Sequence, residues 1–175
     1  MARLRKFCAY RRLERPYTRR SKFSEKNYIK ANPHLKIVRF EMGPKTQKFD
    51  YTLKLISKSD LQIRHDSLES ARQTCNRFLE KNLGKNEFYF KVIKYPHHVL
   101  RENPLAAGAG ADRMSTGMAH SFGKAIGLAA QVREGEPIFE LRVNKANLEI
   151  GKKTMKRASY KIPCPCRIEV IENKR

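Results

Sequence analysis

Three groups of residues in this chain have the types and spacing from which chemistry could be built. The first is the glycine-rich run from Asn103 to Gly127, NPLAAGAGADRMSTGMAHSFGKAIG. A dinucleotide-binding turn needs G-x-G-x-x-G between a strand and a helix, so that backbone can approach a pyrophosphate. Gly108 and Gly110 fit, but Arg113 stands where the third glycine belongs. A P-loop needs G-x-x-x-x-G-K followed by Ser or Thr, whose hydroxyl holds magnesium. Gly117 and Gly123 are one residue too far apart, and Lys124 is followed by Ala125. The second group is Ser115, His120 and Ser121. They lack the G-x-S-x-G elbow that exposes a nucleophilic serine, and Asp112 beside Arg113 reads as a local ion pair or turn. The third is Cys164-Pro165-Cys166. A structural zinc site needs a second cysteine or histidine pair. Cys8 and Cys75 are far apart, and adjacent His97 and His98 point to opposite faces of a strand. The IPCPC stretch therefore reads as a turn stiffened by two prolines. No catalytic set, metal or cofactor is expected.

Charge carries the stronger signal. The 175 residues hold 38 Lys and Arg against 17 Asp and Glu, a formal net charge of +21. Such an excess attracts polyanions. It sits at the ends: twelve basic and two acidic residues up to Lys36, and ten basic and three acidic from Arg142 onward. The middle is nearly balanced, as in a folded body with basic extensions. Residues 1–36 read as a basic arm and 37–175 as one folded domain. Pro16 and Pro33 interrupt any helix in the arm. Phe7, Tyr10, Tyr17, Phe23 and Tyr28 are interleaved with its cations. A disordered tail is the bland alternative, but such tails are poor in aromatics. An arm that orders on nucleic acid accounts for both features. Its candidate contacts are Arg3, Arg5, Lys6, Arg11, Arg12, Arg15, Tyr17, Arg19, Arg20 and Lys22. Arg outnumbers Lys here, and a guanidinium grips phosphate bidentately and stacks on bases. Zinc-finger, leucine-zipper and helix-turn-helix patterns are absent, so structured RNA is the better polyanion. Neither a signal-peptide apolar run nor a membrane-spanning one is found. A cytoplasmic protein with reduced cysteines is expected.

These residues need elements to position them. KIVRFEMG (36–43) reads as a strand ending at a Gly-Pro turn. FDYTLKLISKS (49–59) alternates apolar and polar residues, a strand with one buried face. A helix is predicted over 66–83. Asp66 and Glu69 suggest a capping box, Leu68, Ala71, Cys75, Phe78 and Leu79 form its apolar stripe, and Gly84 ends it. Cys75 is read as a core residue. EFYFKVIKYP (87–96) is a strand, with HHVLREN as its hairpin neighbour. Two further strands are joined at Glu134–Pro137, and CRIEVIEN closes as a strand. A basic helix spans 146–159, weakened by Gly151. Strands outnumber helices without regular alternation, which predicts an α+β fold with a mostly antiparallel sheet.

RRLERPYTRR (11–20), KIVRFEMG, SARQTCNRFLEK (70–81), GAGADRMSTGM (108–118), FGKAIG (122–127) and MKRASYKIP (155–163) together carry a resemblance. The chain resembles the universal large-subunit ribosomal protein family called L-sixteen in bacteria and L-ten-e in archaea and eukaryotes. The basic arm and the lack of a long C-terminal tail look like the archaeal form. The resemblance implies a hammerhead-type two-layer fold, an antiparallel sheet packed with two helices. It also implies a place on large-subunit rRNA beside the aminoacyl-tRNA corridor and the peptidyl-transferase centre. Late entry into subunit assembly and contact with neighbouring ribosomal proteins follow from it too. The stretch Asn103, Pro104, Leu105, Ala106, Ala107, Gly108, Ala109, Gly110, Ala111 and Asp112 would face tRNA. Its small uncharged residues let backbone approach RNA without gripping it. Arg113 and Lys124 would anchor its base, and Lys152, Lys153, Lys156 and Arg157 of the basic helix would bind rRNA. A non-ribosomal RNA chaperone or RNA-modifying factor is the alternative, and a DNA-architectural protein a third.

Overall fold

Short segments rich in apolar and β-branched residues, bounded by turn residues, pair as antiparallel strands in this chain. The computed structural model describes residues 4–13, 22–26, 29, 31–103 and 122–173. In chain order the elements are β1 (Glu41–Met42), β2 (Tyr51–Ser57), β3 (Leu61–Arg64), α1 (His65–Leu83), β4 (Phe88–Val92) and β5 (His98–Glu102). They continue as β6 (Lys124–Val132), β7 (Pro137–Val143), α2 (Leu148–Ser159) and β8 (Cys166–Glu172). Five strands form one sheet in the order β1-β4-β7-β2-β8, and three form another in the order β3-β6-β5. All pairings are antiparallel. The fold is α+β, as expected, with its strands divided between two sheets.

One core joins the layers. On β2, Leu53 lies opposite Leu141 and Val170, and Leu55 opposite Phe139 and Ile168. The Phe90 and Phe139 rings stack with centroids 5.5 Å apart. Leu68, Ala71, Cys75 and Leu79 of α1 and Met155 and Ala158 of α2 pack on them. Ile63, Ala130 and Val132 of the smaller sheet complete the same cluster. The α1 stripe is buried at the helical spacing the sequence shows, with Phe78 half-buried at its edge. Burial pushes the Cys75 thiol up to about 12, so it is an inert core group.

The ends of α1 divide in outcome. Gly84 ends the helix at φ 84°, donating its N–H to the Glu80 carbonyl at 3.2 Å. The capping box does not form. The helix begins at His65, preceded by Arg64, and Asp66 lies inside the first turn, paired with Arg64 at 2.8 Å. Glu69 instead grips Arg72 with both oxygens, at 2.6 and 2.8 Å. A nearly buried guanidinium left without its carboxylate would cost more than a weaker cap.

Two strand expectations are corrected for related reasons. Only Glu41–Met42 of the 36–43 segment joins the sheet, pairing with β4. Before it, the Val92 N–H reaches the Phe40 carbonyl at 2.8 Å, but no further residue of 36–40 pairs in the sheet. Gly43 then turns the chain at φ 90°, where a Cβ would stand 2.0 Å from the Phe88 carbonyl oxygen. The β4–β5 hairpin also does not form. After Val92 the Ile93 N–H bonds the Ile138 carbonyl at 2.9 Å, and Pro96 offers no donor to continue a ladder. The chain crosses to the second sheet, where β5 pairs with β6.

The second helix starts at Leu148, after one 3₁₀ turn over Lys145–Asn147. Gly151 is buried in it. A Cβ there would lie 3.4 Å from both Leu53 methyls and from Val143 Cγ2. The glycine weakens the helix by roughly 1 kcal/mol relative to alanine and lets it sit close on the sheet.

Candidate nucleic-acid interface

The first described segment, Leu4–Leu13, lies on the smaller sheet. Phe7–Tyr10 form a 3₁₀ turn that buries the Tyr10 ring against Leu100 and Ala129. The Tyr10 hydroxyl accepts from the Arg5 N–H at 3.0 Å and donates to Glu102 Oε1 at 2.9 Å. Gln62 of β3 holds the other end. Its Nε2 donates to the Tyr10 and Arg12 carbonyls at 3.2 and 2.6 Å, and its N–H donates to the Arg11 carbonyl at 3.1 Å. Arg64 Nη1 donates to the Arg5 carbonyl at 3.2 Å. Backbone is thus pinned while the cations stay outside. Arg5, Lys6, Arg11 and Arg12 are all exposed, as is Lys22. The Arg11 guanidinium lies 5.5 Å over the Phe7 ring.

The central glycine-alanine stretch is rooted beside this segment. In the β5–β6 pair Glu102 faces Lys124, so both ends of the connection leave from one end of the smaller sheet. Glu102 also holds Tyr10, and Arg5 reaches it at 4.0 Å. The structure therefore brings together Arg5, Asn103 and Lys124, residues far apart in sequence. Arg101 Nη1 donates to the Phe122 carbonyl at 3.0 Å, and the Phe122 ring is exposed. Arg3, Arg15, Tyr17, Arg19, Arg20, Arg113 and residues 104–112 lie outside the described residues.

A second basic surface lies on α2. Apolar Met155 and Ala158 face the core, leaving Lys152, Lys153, Lys156 and Arg157 exposed. The Arg157 guanidinium lies 3.9 Å over the Phe78 ring, a contact that fixes the side chain without neutralising it. Lys152 pairs with Glu149 at 3.0 Å on the surface, and exposed pairs of this kind hold their partners weakly.

The sequence reading missed two parts of the site. Gln62 and Glu102 fasten the arm, and nothing in a lone Gln or Glu announces that role. A groove on the outer face of the larger sheet is lined by Lys45, Lys48, Lys54 and Arg142, with Glu140 the acid among its lining residues. Arg142 holds that carboxylate at 2.7 Å and lies 5.0 Å over the Tyr89 ring. Lys54 and Arg142 occupy the polar phase of their strands' alternation, a signal that could have placed them on one face. Among the described residues no group of three or more His, Cys, Asp or Glu could hold a metal ion. No helix among them is long and apolar enough to cross a membrane.

Comparison with known proteins identifies the family of the chain. The family described as Ribosomal protein L16p/L10e matches residues 13–169. A protein named Large ribosomal subunit protein uL16 from Methanocella arvoryzae is 46% identical over 148 residues, covering 85% of this chain and 86% of that protein. A protein of the same name from Methanococcus maripaludis is 42% identical over 172 residues, covering 98% and 96%. Another from Staphylothermus marinus is 45% identical over 153 residues, covering 87% and 84%. With its antiparallel α+β fold and a match over most of its length, the chain belongs to the Ribosomal protein L16p/L10e family.

Proposed function

We propose that this protein is a structural component of the large ribosomal subunit that binds large-subunit rRNA. The observation that carries the reading is the separation of roles in the site. Backbone and buried groups fasten the arm and α2, while Arg5, Lys6, Arg11, Arg12, Lys124, Lys152, Lys153, Lys156 and Arg157 all face solvent. Cations held on a rigid frame neutralise phosphates at little further entropic cost. The stretch 103–112 faces the aminoacyl-tRNA corridor near the peptidyl-transferase centre. It is bare of cations up to Arg113, so a tRNA passing it is not retained by charge. Arg113 and Lys124 anchor its base to rRNA. The protein contacts tRNA and neighbouring ribosomal proteins, supports late subunit assembly, and works on cytoplasmic ribosomes. It is not an enzyme, because peptide-bond chemistry there belongs to RNA.

A salt series tests this. The protein is expected in large subunits purified at low salt and released as salt rises, with log affinity falling by roughly 0.7–0.9 per neutralised phosphate for each decade of salt. Replacing Arg11, Arg12, Lys152 and Lys156 with Glu is expected to move release to lower salt. Absence of the unaltered protein from large subunits at low salt would overturn the proposal.

A further inference from the structure

Cys164 and Cys166 stand where the chain leaves α2 and enters β8, and the RNA reading uses neither. Their sulfurs are unbonded, 3.6 Å apart and half-buried. Cys166 Sγ is also 3.5 Å from the Cys164 carbonyl, and Cys164 Sγ is 3.5 Å from the Ser57 hydroxyl. The frame around them is set by the sheet. Cys166 is in register with Ser57, and the Lys58 N–H donates to the Pro165 carbonyl at 3.0 Å. Ser57 in turn donates to the Ser59 carbonyl at 2.7 Å. Both thiols are therefore held against one turn. The remaining cysteines differ: Cys75 is sealed in the core, and Cys8 is exposed on the arm.

We propose that Cys164 and Cys166 form a reversible dithiol–disulfide site oxidised by hydroperoxides, with Cys164 attacking and Cys166 resolving. The neighbouring Cys166 sulfur, 3.6 Å away, lowers Cys164 to about 7, while Cys164 raises Cys166 above its ordinary value. One proton thus leaves the pair readily and the second is retained. The thiolate is the nucleophile in thiol oxidation. Cys164 Sγ attacks one peroxide oxygen, an S–O bond forms, and the O–O bond breaks. The departing alkoxide takes a proton and leaves as an alcohol, or as water from hydrogen peroxide. Cys164 is then a sulfenic acid, oxidised by two electrons. Cys166 Sγ attacks that sulfur, the S–S bond forms, and hydroxide leaves with the Cys166 proton as water. In sum, two thiols and one hydroperoxide give a disulfide, an alcohol and water. An external dithiol reverses the reaction by exchange. Two sulfurs alone fill only part of a tetrahedral metal shell, and no third ligand group stands with them among the described residues.

Trypsin releases Ile162–Arg167 (IPCPCR), which holds both cysteines and neither Cys8 nor Cys75. The full-length protein would be treated with one equivalent of hydrogen peroxide at neutral pH, denatured, alkylated and digested. The expected peptide lacks two hydrogens, resists alkylation, and regains both thiols after dithiothreitol. In Cys166→Ala, dimedone is expected to trap a sulfenic acid at Cys164. The pH midpoint for alkylating Cys164 is expected to rise toward the ordinary thiol value of about 8.5. In Cys164→Ala the peptide is expected to stay reduced. Three results would overturn the proposal: full alkylation of both cysteines in the treated wild-type protein, equally fast oxidation of Cys166 in Cys164→Ala, or an unmoved midpoint in Cys166→Ala. Peroxide resistance conferred by a copurifying metal would overturn it in favour of a metal site. The wild-type peptide decides whether the disulfide forms even if a variant fails to fold, and the alkylation rates of the two cysteines in the wild-type protein, faster at Cys164, check the assignment of roles.

Discussion

Removing one oxygen atom from Tyr10 is expected to loosen the arm without touching the core. In Tyr10→Phe the ring still fills its place against Leu100 and Ala129, but two hydrogen bonds go. One joins the hydroxyl to the Glu102 carboxylate at 2.9 Å, and the other receives the Arg5 N–H at 3.0 Å. A bond to a charged group is worth about 1.5–3 kcal/mol and a neutral one about 0.5–1.5, both less where water reaches them. Both bonds are part-buried here, so about 2 kcal/mol is the working figure, near a 30-fold change in a local opening equilibrium. Hydrogen exchange reads it directly. The amides of Ala9, bonded to the Lys6 carbonyl, and Gln62, bonded to the Arg11 carbonyl, report on the segment. Their exchange is expected to accelerate about 30-fold in the variant, while amides beside Leu68 and Leu79 of α1 stay unchanged. Unchanged protection at Ala9 and Gln62 would show that the hydroxyl does not hold the segment. Equal acceleration in α1 would show that the segment and core open as one unit, and the reasoning from a separately fastened arm would fail.

Acid is expected to weaken the fold through His98. It is 2% exposed with no partner at Nδ1 among the described residues, and burial, then Arg101 and His97, hold it at about 4 against 6.5 for the free group. The unfolded chain therefore binds that proton first. This contribution is complete above pH 6.5 and is lost as pH falls toward 4, about 3 kcal/mol in all. Urea titrations of the wild type and His98→Leu across that range check it, and equal pH slopes would refute it. Glu69→Ala leaves the Arg72 guanidinium unpaired in a nearly buried position and is expected to cost about 3–5 kcal/mol. A loss under about 1 kcal/mol by chemical denaturation would contradict the buried-pair account. Deleting residues 105–110 leaves the described core and the Glu102–Lys124 pairing in place. The free protein is expected to keep its thermal midpoint while cells carrying it translate slowly or accumulate immature subunits. Normal translation would count against a role for this stretch.

The elements that local pattern determines were legible in the residues. The α1 stripe needs only the helical spacing of Leu68, Ala71, Cys75 and Leu79, and its end needs only a glycine able to take a positive φ. The strand β2 appears as apolar alternation and β4 as a run of aromatic and β-branched residues, and the β8 segment also reads as a strand, though their ends move by a few residues. The exposed cations of the arm and α2 were also legible, because a charge seldom enters a core unpaired. Partner choice was not legible. Whether β5 pairs with β4 or β6 depends on where Pro96 and Ile93 send the chain, and both arrangements show the same local sequence. Gly151 reads as a flaw in a helix until Leu53 and Val143 are seen against it.

What the sequence by itself determined is the kind of protein: basic at both ends, α+β, without a nucleotide or metal motif, and similar in its motifs to one ribosomal family. What only the tertiary structure decided is which distant residues meet. Tyr10 reaches Glu102, Gln62 fastens Arg12, and Arg5 comes within 4.0 Å of Glu102, the register partner of Lys124 at the root of the central stretch. It also set Cys164 against Cys166 and both against Ser57. Local propensity acts over a few residues and is written in them. Long-range meetings are selected by the burial and hydrogen bonding of the whole chain together, so no short stretch records them.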